Sequence, residues 1–252
     1  MSHCKPTPET DTVDITRRNR RNKRAGARWQ ATLKNELRGA GFDIEILPPN
    51  GIEDEGDLVV RIHGGSRWTI IEAKAGVMHP GSFVDQTRVE TANFARHRNI
   101  NPSRVTGVAV VKRRNHRWDK AYVLTSVRDH FKLNDDALYV QPSGRSWPRV
   151  LCAGLRSAGL EAELISSPLG HPEGDLVIRN QGTATVVMAK AGELRVGELL
   201  DQAEDDRLEY ACERGLDPRR VDSLAIVKRR GMAWPDAYVL TTLADYFALE
   251  DQ

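Results

Sequence analysis

The 252-residue chain reads as an α/β protein with two tandem copies of one unit, each an αβββαβ core whose mixed sheet is flanked by helices. Self-similarity, apolar residues at helical spacing and short β-branched runs carry that expectation. The repeat comes first, because it sets the length of the unit. Glu55-Gly56-Asp57-Leu58-Val59-Val60-Arg61 recurs as Glu173-Gly174-Asp175-Leu176-Val177-Ile178-Arg179, an offset of 118 (55 against 173). Ala73-Lys74-Ala75-Gly76 recurs as Ala189-Lys190-Ala191-Gly192 at an offset of 116 (73 against 189). The same 116 relates Asp85-Gln86 to Asp201-Gln202, Trp118 to Trp234, and Ala121-Tyr122-Val123-Leu124-Thr125 to Ala237-Tyr238-Val239-Leu240-Thr241. The offset changes once, at a glycine-containing turn, where a two-residue insertion costs little.

These matches divide the chain into a basic amino-terminal arm (1–24) expected to be flexible, a first unit (25–136), a linker (137–145) and a second unit (146–252). The linker contains the turn-rich Gln141-Pro142-Ser143-Gly144-Arg145. Each unit is about 110 residues, a common domain size, so each could own a core.

Within the first unit, Trp29, Leu33 and Leu37 fall four apart ahead of Gly39 and Gly41, predicting an amphipathic helix over Ala27–Ala40. Phe42–Leu47 alternates apolar and acidic residues, as a half-buried strand does. Asp57–Ile62 and Trp68–Ala75 are strands of a hairpin turned by Gly64-Gly65-Ser66. Phe83–Arg98 follows as a polar-faced helix, then Val105–Lys112 as a buried strand and Ala121–Thr125 as another. A short terminal helix closes the unit.

Bulk properties exclude several classes. No apolar run approaches the roughly 18 residues of a membrane span. The polar start Met-Ser-His-Cys-Lys-Pro-Thr-Pro has no apolar signal core, and the three cysteines match no disulfide or metal spacing. A cytoplasmic protein of bacterial or viral origin is the expectation. The net charge of +2 says little, but Arg17, Arg18, Arg20, Arg21, Lys23 and Arg24 crowd into eight residues.

The chemistry lies on the hairpin. Glu72 and Lys74, two apart on a strand, leave the same face, while Ile71 and Ala73 leave the other. Asp57 opens the partner strand, where its carboxylate can approach Glu72. Two converging carboxylates repel unless a cation lies between them, and hard oxygen ligands select Mg²⁺ or Mn²⁺. The Lys74 ammonium could then orient a water or stabilise charge on a phosphate. The plainer reading of Glu72 and Lys74 is a salt bridge on an exposed strand, which their apolar flanks disfavour.

Gly56-Asp57 followed, fifteen residues on (57 against 72), by Glu72-Ala73-Lys74 resembles the Asp…Glu-X-Lys signature of the PD-(D/E)XK nucleases. Gly41-Phe42 after a basic-rich helix, then hairpin, then helix, resembles the archaeal-type Holliday junction resolvases, whose core has the same αβββαβ order. The resemblance implies two restriction-endonuclease-like units and a Mg²⁺- or Mn²⁺-dependent endonuclease acting on DNA, branched DNA above all, in recombination or repair. It makes Asp57, Glu72 and the Ala73 carbonyl metal ligands, and Lys74 the assistant to the attacking water. Resolvases of this branch carry a metal-linked Glu on the first helix; here that position is Gln30, and Gly56 stands where the family name has proline. Cutting a four-way junction symmetrically needs two sites, so one complete site implies a homodimer of first units or a structure-selective nickase. The departure at Gln30 leaves room for a non-catalytic DNA-binding or scaffold protein, and a restriction-like or single-strand nuclease is a third reading.

The second unit has Met188 in place of Glu72 and Pro148 in place of Gln30, while Asp175 and Lys190 persist. A thioether is a poor ligand for a hard cation, so this copy reads as catalytically dead. The Arg17–Arg24 run is either a solvated tail or a phosphate-binding arm, the latter favoured by its place just ahead of the first helix. Lys112-Arg113-Arg114 and Lys228-Arg229-Arg230 end strands in both copies and read equally well as solvated strand ends or as paired phosphate clamps. Gln86 is either a site residue or a helix-surface residue, Trp118 and Trp234 read as packing, and His79 as a bystander.

Overall fold

Helix α1 (Glu9–Gly39) buries Trp29, Leu33 and Leu37, the stripe that its four-residue spacing anticipates. It ends where Phe42 N–H reaches back to the Leu37 carbonyl, with Gly41 at φ +91° supplying the left-handed residue such a stop requires. The chain then forms β1 (Asp43–Ile46), β2 (Leu58–Ile62), β3 (Arg67–Lys74), α2 (Pro80–His97), β4 (Val105–Val111) and β5 (Tyr122–Ser126). A one-turn helix, α3 (Val127–His130), completes the first unit. The second repeats it as α4 (Trp147–Ser157), β6 (Glu161–Leu164), β7 (Leu176–Asn180), β8 (Thr183–Lys190), α5 (Val196–Glu213), β9 (Val221–Val227), β10 (Tyr238–Thr242) and α6 (Leu243–Phe247). The structure, a computed structural model, describes residues 9–62, 64, 66–134, 146–166, 173–180 and 182–249, with the side chains of 9–16 excepted. The expected linker 137–145 lies outside these residues.

The αβββαβ order is therefore present twice, and the protein is α/β with a mixed sheet. Two expectations need correction. The units do not keep separate sheets: one ten-stranded sheet runs β1-β2-β3-β4-β5-β10-β9-β8-β7-β6. Its centre is the antiparallel pair β5–β10, where Leu124 faces Leu240, its own counterpart in the repeat. This register places a pseudo-two-fold axis through the middle of the sheet. Nor do the units keep separate cores. Leu243 and Phe247 of α6 pack among Trp29, Leu33, Leu37 and Ile71 of the first unit. Val127 of α3 packs among Leu151, Leu155 and Ile226 of the second. The exchange is anchored reciprocally, since Val127 N–H donates to the Ala237 carbonyl and Leu243 N–H to the Ala121 carbonyl, both at 2.9 Å.

On the opposite face of the sheet, α2 and α5 meet over Leu124, Leu240, Ala109 and Ala225. The basic segment expected as a flexible arm is part of α1: Arg17 to Arg24 form its exposed amino-terminal turns. Among the described residues, no helix is long and apolar enough to cross a membrane.

Candidate active site

The site is built where β2 begins beside the last residues of β3. Gly56 takes φ +94°, and a Cβ there would lie 2.7 Å from Ile70 Cγ2, so a bare backbone lets the chain turn close over β3. The turn is held by Glu55, buried and ion-paired with Arg98 and His97 at the end of α2. Burial alone would raise the Glu55 carboxyl, but the hydrogen bonds from Arg98 and His97 outweigh it and hold the group below its usual range. Asp57 then enters the ladder, its N–H donating to the Ile71 carbonyl at 3.0 Å.

The side chain of Asp57 is pinned at both oxygens. Ala73 N–H donates to Oδ2 at 2.8 Å, and Gln30 Nε2 donates to Oδ1 at 3.2 Å and to the Asp57 carbonyl at 3.2 Å. Gln30 is delivered there by its neighbour, because Trp29 Nε1 donates to the Val110 carbonyl at 3.1 Å and fixes α1 against the sheet. Glu72, one register step along β3, is buried on the face toward α2. Its Oε1 accepts from Lys74 Nζ at 2.5 Å and from Gln86 Nε2 at 2.9 Å. Lys74 Nζ also donates to Gln86 Oε1 at 2.9 Å and lies 5.4 Å from the centre of the Phe83 ring. Asp57, Glu72 and Lys74 are thus gathered on one side of the sheet, with Gln30 and Gln86 bracketing them.

A third carboxyl group belongs to the cluster. Glu90 on α2 is 4 % exposed; its Oε1 accepts from Gln86 Nε2 at 2.7 Å, and its Oε2 is buried with no hydrogen-bond partner. Helix α2 can sit this low because β4 carries Gly107 beneath it, where a Cβ would lie 2.0 Å from Thr91 Oγ1 and 2.7 Å from Thr87 Cγ2. Crowding among the acids has an electrostatic signature. Asp57 is pushed up to about 6 by burial and by the neighbouring Glu72 charge, and Glu90 is pushed up to about 8 by the same two causes in the same order.

These donors fit a hard divalent cation in kind, and the orphaned Glu90 oxygen marks a place where positive charge is wanted. As arranged, no group of three or more His, Cys, Asp or Glu side chains among the described residues is set to hold a metal ion. Lys74 and Gln86 both donate to Glu72 Oε1, so a cation bound to that oxygen would require both to turn aside.

The second unit preserves the scaffold without the acid at the position of Glu72. Ala189 N–H donates to Asp175 Oδ2 at 2.7 Å, Trp147 Nε1 donates to the Ile226 carbonyl at 3.3 Å, and Gln202 Nε2 donates to Asp206 Oδ1 at 2.9 Å. Met188, however, is buried among Leu199, Leu200 and Leu240. Apolar packing occupies the position of Glu72.

The paired basic clusters are divided by the structure. Arg113 donates to Asp201 and Arg229 to Asp85, reciprocal ion pairs across the two units, each guanidinium also facing a tyrosine ring. These two arginines are engaged at the junction between units, whereas among the described residues Arg114 and Arg230 form no ion pair, and Lys112 and Lys228 lie over Trp29 and Trp147. Trp118 and Trp234 are packing residues, as their recurrence suggested. His79 is the residue preceding α2 and stacks edge-on with Phe83. Glu90 escaped the sequence reading, although Gln86 and Glu90 recur as Gln202 and Asp206 at the i, i+4 spacing of one helix face. No protein-family model matches the chain, and no curated protein resembles it significantly.

Proposed function

We propose that this protein is a metal-dependent DNA endonuclease whose catalytic centre is Asp57, Glu72 and Lys74 of the first unit. The observation that carries the reading is the convergence of those three side chains from adjacent strands on one face, with Asp57 pinned by Ala73 N–H and Gln30. Asp57, Glu72 and the Ala73 carbonyl would hold a Mg²⁺ or Mn²⁺ ion, which would supply the positive charge that a scissile phosphate needs. Lys74, released from Glu72, donates a hydrogen bond to the water or to a phosphate oxygen. Water oxygen bonds to phosphorus as the phosphorus–oxygen bond to the leaving sugar oxygen breaks; the attacking water gives up a proton to solvent and the leaving oxygen takes one from solvent, becoming a hydroxyl. Without the cation, Gln86 is bonded to both Glu72 and Lys74 and holds the two in register.

The substrate side of the reading rests on α1. Arg17, Arg21, Arg24 and Arg28 follow one another at four, three and four residues, a solvent-facing stripe spanning about 17 Å on the side of the helix opposite Trp29, Leu33 and Leu37. With Arg18, Arg20 and Lys23 around it, this rigid helix suits the phosphate backbone of DNA, branched DNA in particular. Lys112, Arg114, Lys228 and Arg230 are further phosphate contacts in this proposal. The first unit's β5 edge is already paired with β10, so a single cut per chain fits better than paired cuts by two first units joined through that edge.

Labelled junction, duplex, flap and single-stranded DNA, each with Mg²⁺, Mn²⁺ or EDTA, test the proposal. Cleavage should vanish in EDTA and fall at least a hundredfold in Glu72→Ala and Lys74→Ala. DNA binding without cleavage in either metal would establish the alternative, a DNA-binding scaffold, which the present saturation of Glu72 by Lys74 and Gln86 favours.

A further inference from the structure

We infer that Glu90 is the third carboxylate ligand of the cation site, supplying from α2 the negative charge that Gln30 does not supply from α1. The inference rests on the metal-dependent reading above and concerns a residue outside its catalytic trio.

Burial is the first argument. Glu90 is 4 % exposed, and its Oε2 has neither solvent nor a hydrogen-bond partner. A carboxyl oxygen left in that state is unfavourable, and such groups are rare unless something binds them. Direction is the second. A Cβ built on Gly56 would lie 3.6 Å from Glu90 Oε2, so the oxygen lies over the bare backbone just ahead of Asp57. Glu90 therefore reaches the strand start from above while Gln30 reaches it from α1.

The second copy separates a structural role from a ligand role. There the amide–acid pair is Gln202 with Asp206, one methylene shorter, and Asp206 leaves no buried oxygen unpartnered. Pairing with the helix glutamine is satisfied by the shorter acid. The longer side chain occurs in the copy that also has Glu72, and its extra reach is what places the orphaned oxygen at the site.

The test is Mn²⁺ binding to the full-length, chelator-treated protein, followed by calorimetry and by the rise in Tm that Mn²⁺ produces. Glu90→Gln keeps the shape and the contact with Gln86 but removes the charge. It should weaken Mn²⁺ binding at least tenfold and shrink the Mn²⁺-induced rise in Tm, as Glu72→Gln should, while its Tm in EDTA does not fall. Glu90→Asp, which keeps the charge but withdraws it, should fall between wild type and Glu90→Gln. If Glu90→Gln does not fold, Glu90→Asp decides: weakened binding supports the inference and wild-type affinity overturns it. Wild-type affinity in Glu90→Gln beside a tenfold loss in Glu72→Gln overturns the role of Glu90 and leaves the nuclease reading standing. Absence of Mn²⁺ binding in the wild type overturns both.

Discussion

Gln30 shows how much one side chain can decide. Its amide donates to Asp57 at two places, which a glutamate could not do. Gln30→Glu should therefore lower Tm in EDTA by adding a further acid to the cluster, yet enlarge the rise in Tm that Mn²⁺ produces; equal shifts in wild type and variant would refute this. The same crowding makes stability depend on pH. Asp57 and Glu90 have folded-state pKa values raised above their unfolded ones, so their contribution is fully present at low pH and is lost as pH rises through about 6 and then about 8. Metal-free protein should lose stability to denaturant from about pH 4 upward, the loss being complete by about pH 8. Glu90→Gln should remove the upper part of that loss and Mg²⁺ should flatten the whole. Asp57, Glu72 and Lys74 were legible from spacing alone, because alternation along a strand assigns faces without further information. Glu90 was not, since an acid on a polar-faced helix has no local mark of burial.

At the level of the element, the contact between α2 and β4 governs the depth of the site. Gly107 lies under Thr87 and Thr91, whereas the second copy has Ser223 under Ala203 and Arg207. Gly107→Ala should cost about 1–3 kcal/mol of stability through overpacking. Ser223→Ala should cost less than about 1 kcal/mol, and equal effects would mean that the two helices pack alike. Gly107→Ala also raises Gln86 and Glu90 away from β3, so Mn²⁺ affinity should fall with it. Helix α1 and the β2–β3 hairpin were both readable, since a four-residue apolar stripe ending in glycine and a turn between β-branched runs are local signals. The helical continuation through Arg17 to Arg24 was not, as a run of like charge looks the same whether or not a packed helix extends into it.

Over the whole molecule, the exchange of α3 and α6 ties the two units into one folding entity. Leu243 is fully buried in the first unit's core, so Leu243→Ala should cost about 2–5 kcal/mol. Because that core underlies the β2–β3 hairpin, the loss should appear in a single cooperative unfolding transition that includes it. A chain ending at residue 136 lacks α6 and exposes the β5 edge, and it should be unfolded or self-associated in sedimentation and circular dichroism. A folded monomeric fragment would contradict the shared core. The reciprocal pairs Arg113–Asp201 and Arg229–Asp85 contribute less, since their aspartates are 64 % and 54 % exposed. Charge reversal at Asp85 should cost no more than about 1 kcal/mol.

Sequence alone determined the duplication, the strand and helix order of each copy, the face shared by Glu72 and Lys74, and the loss of the acid at Met188. All of these are written in periods and offsets that a linear chain displays. Only the tertiary structure decided that β5 pairs with β10, that each copy lends a helix to the other's core, and that Glu90 descends onto Gly56. Those outcomes depend on which of several equally apolar edges and faces meet across a hundred or so residues. Burial free energy is non-directional, and a chain carries no local record of the partner that each surface will find.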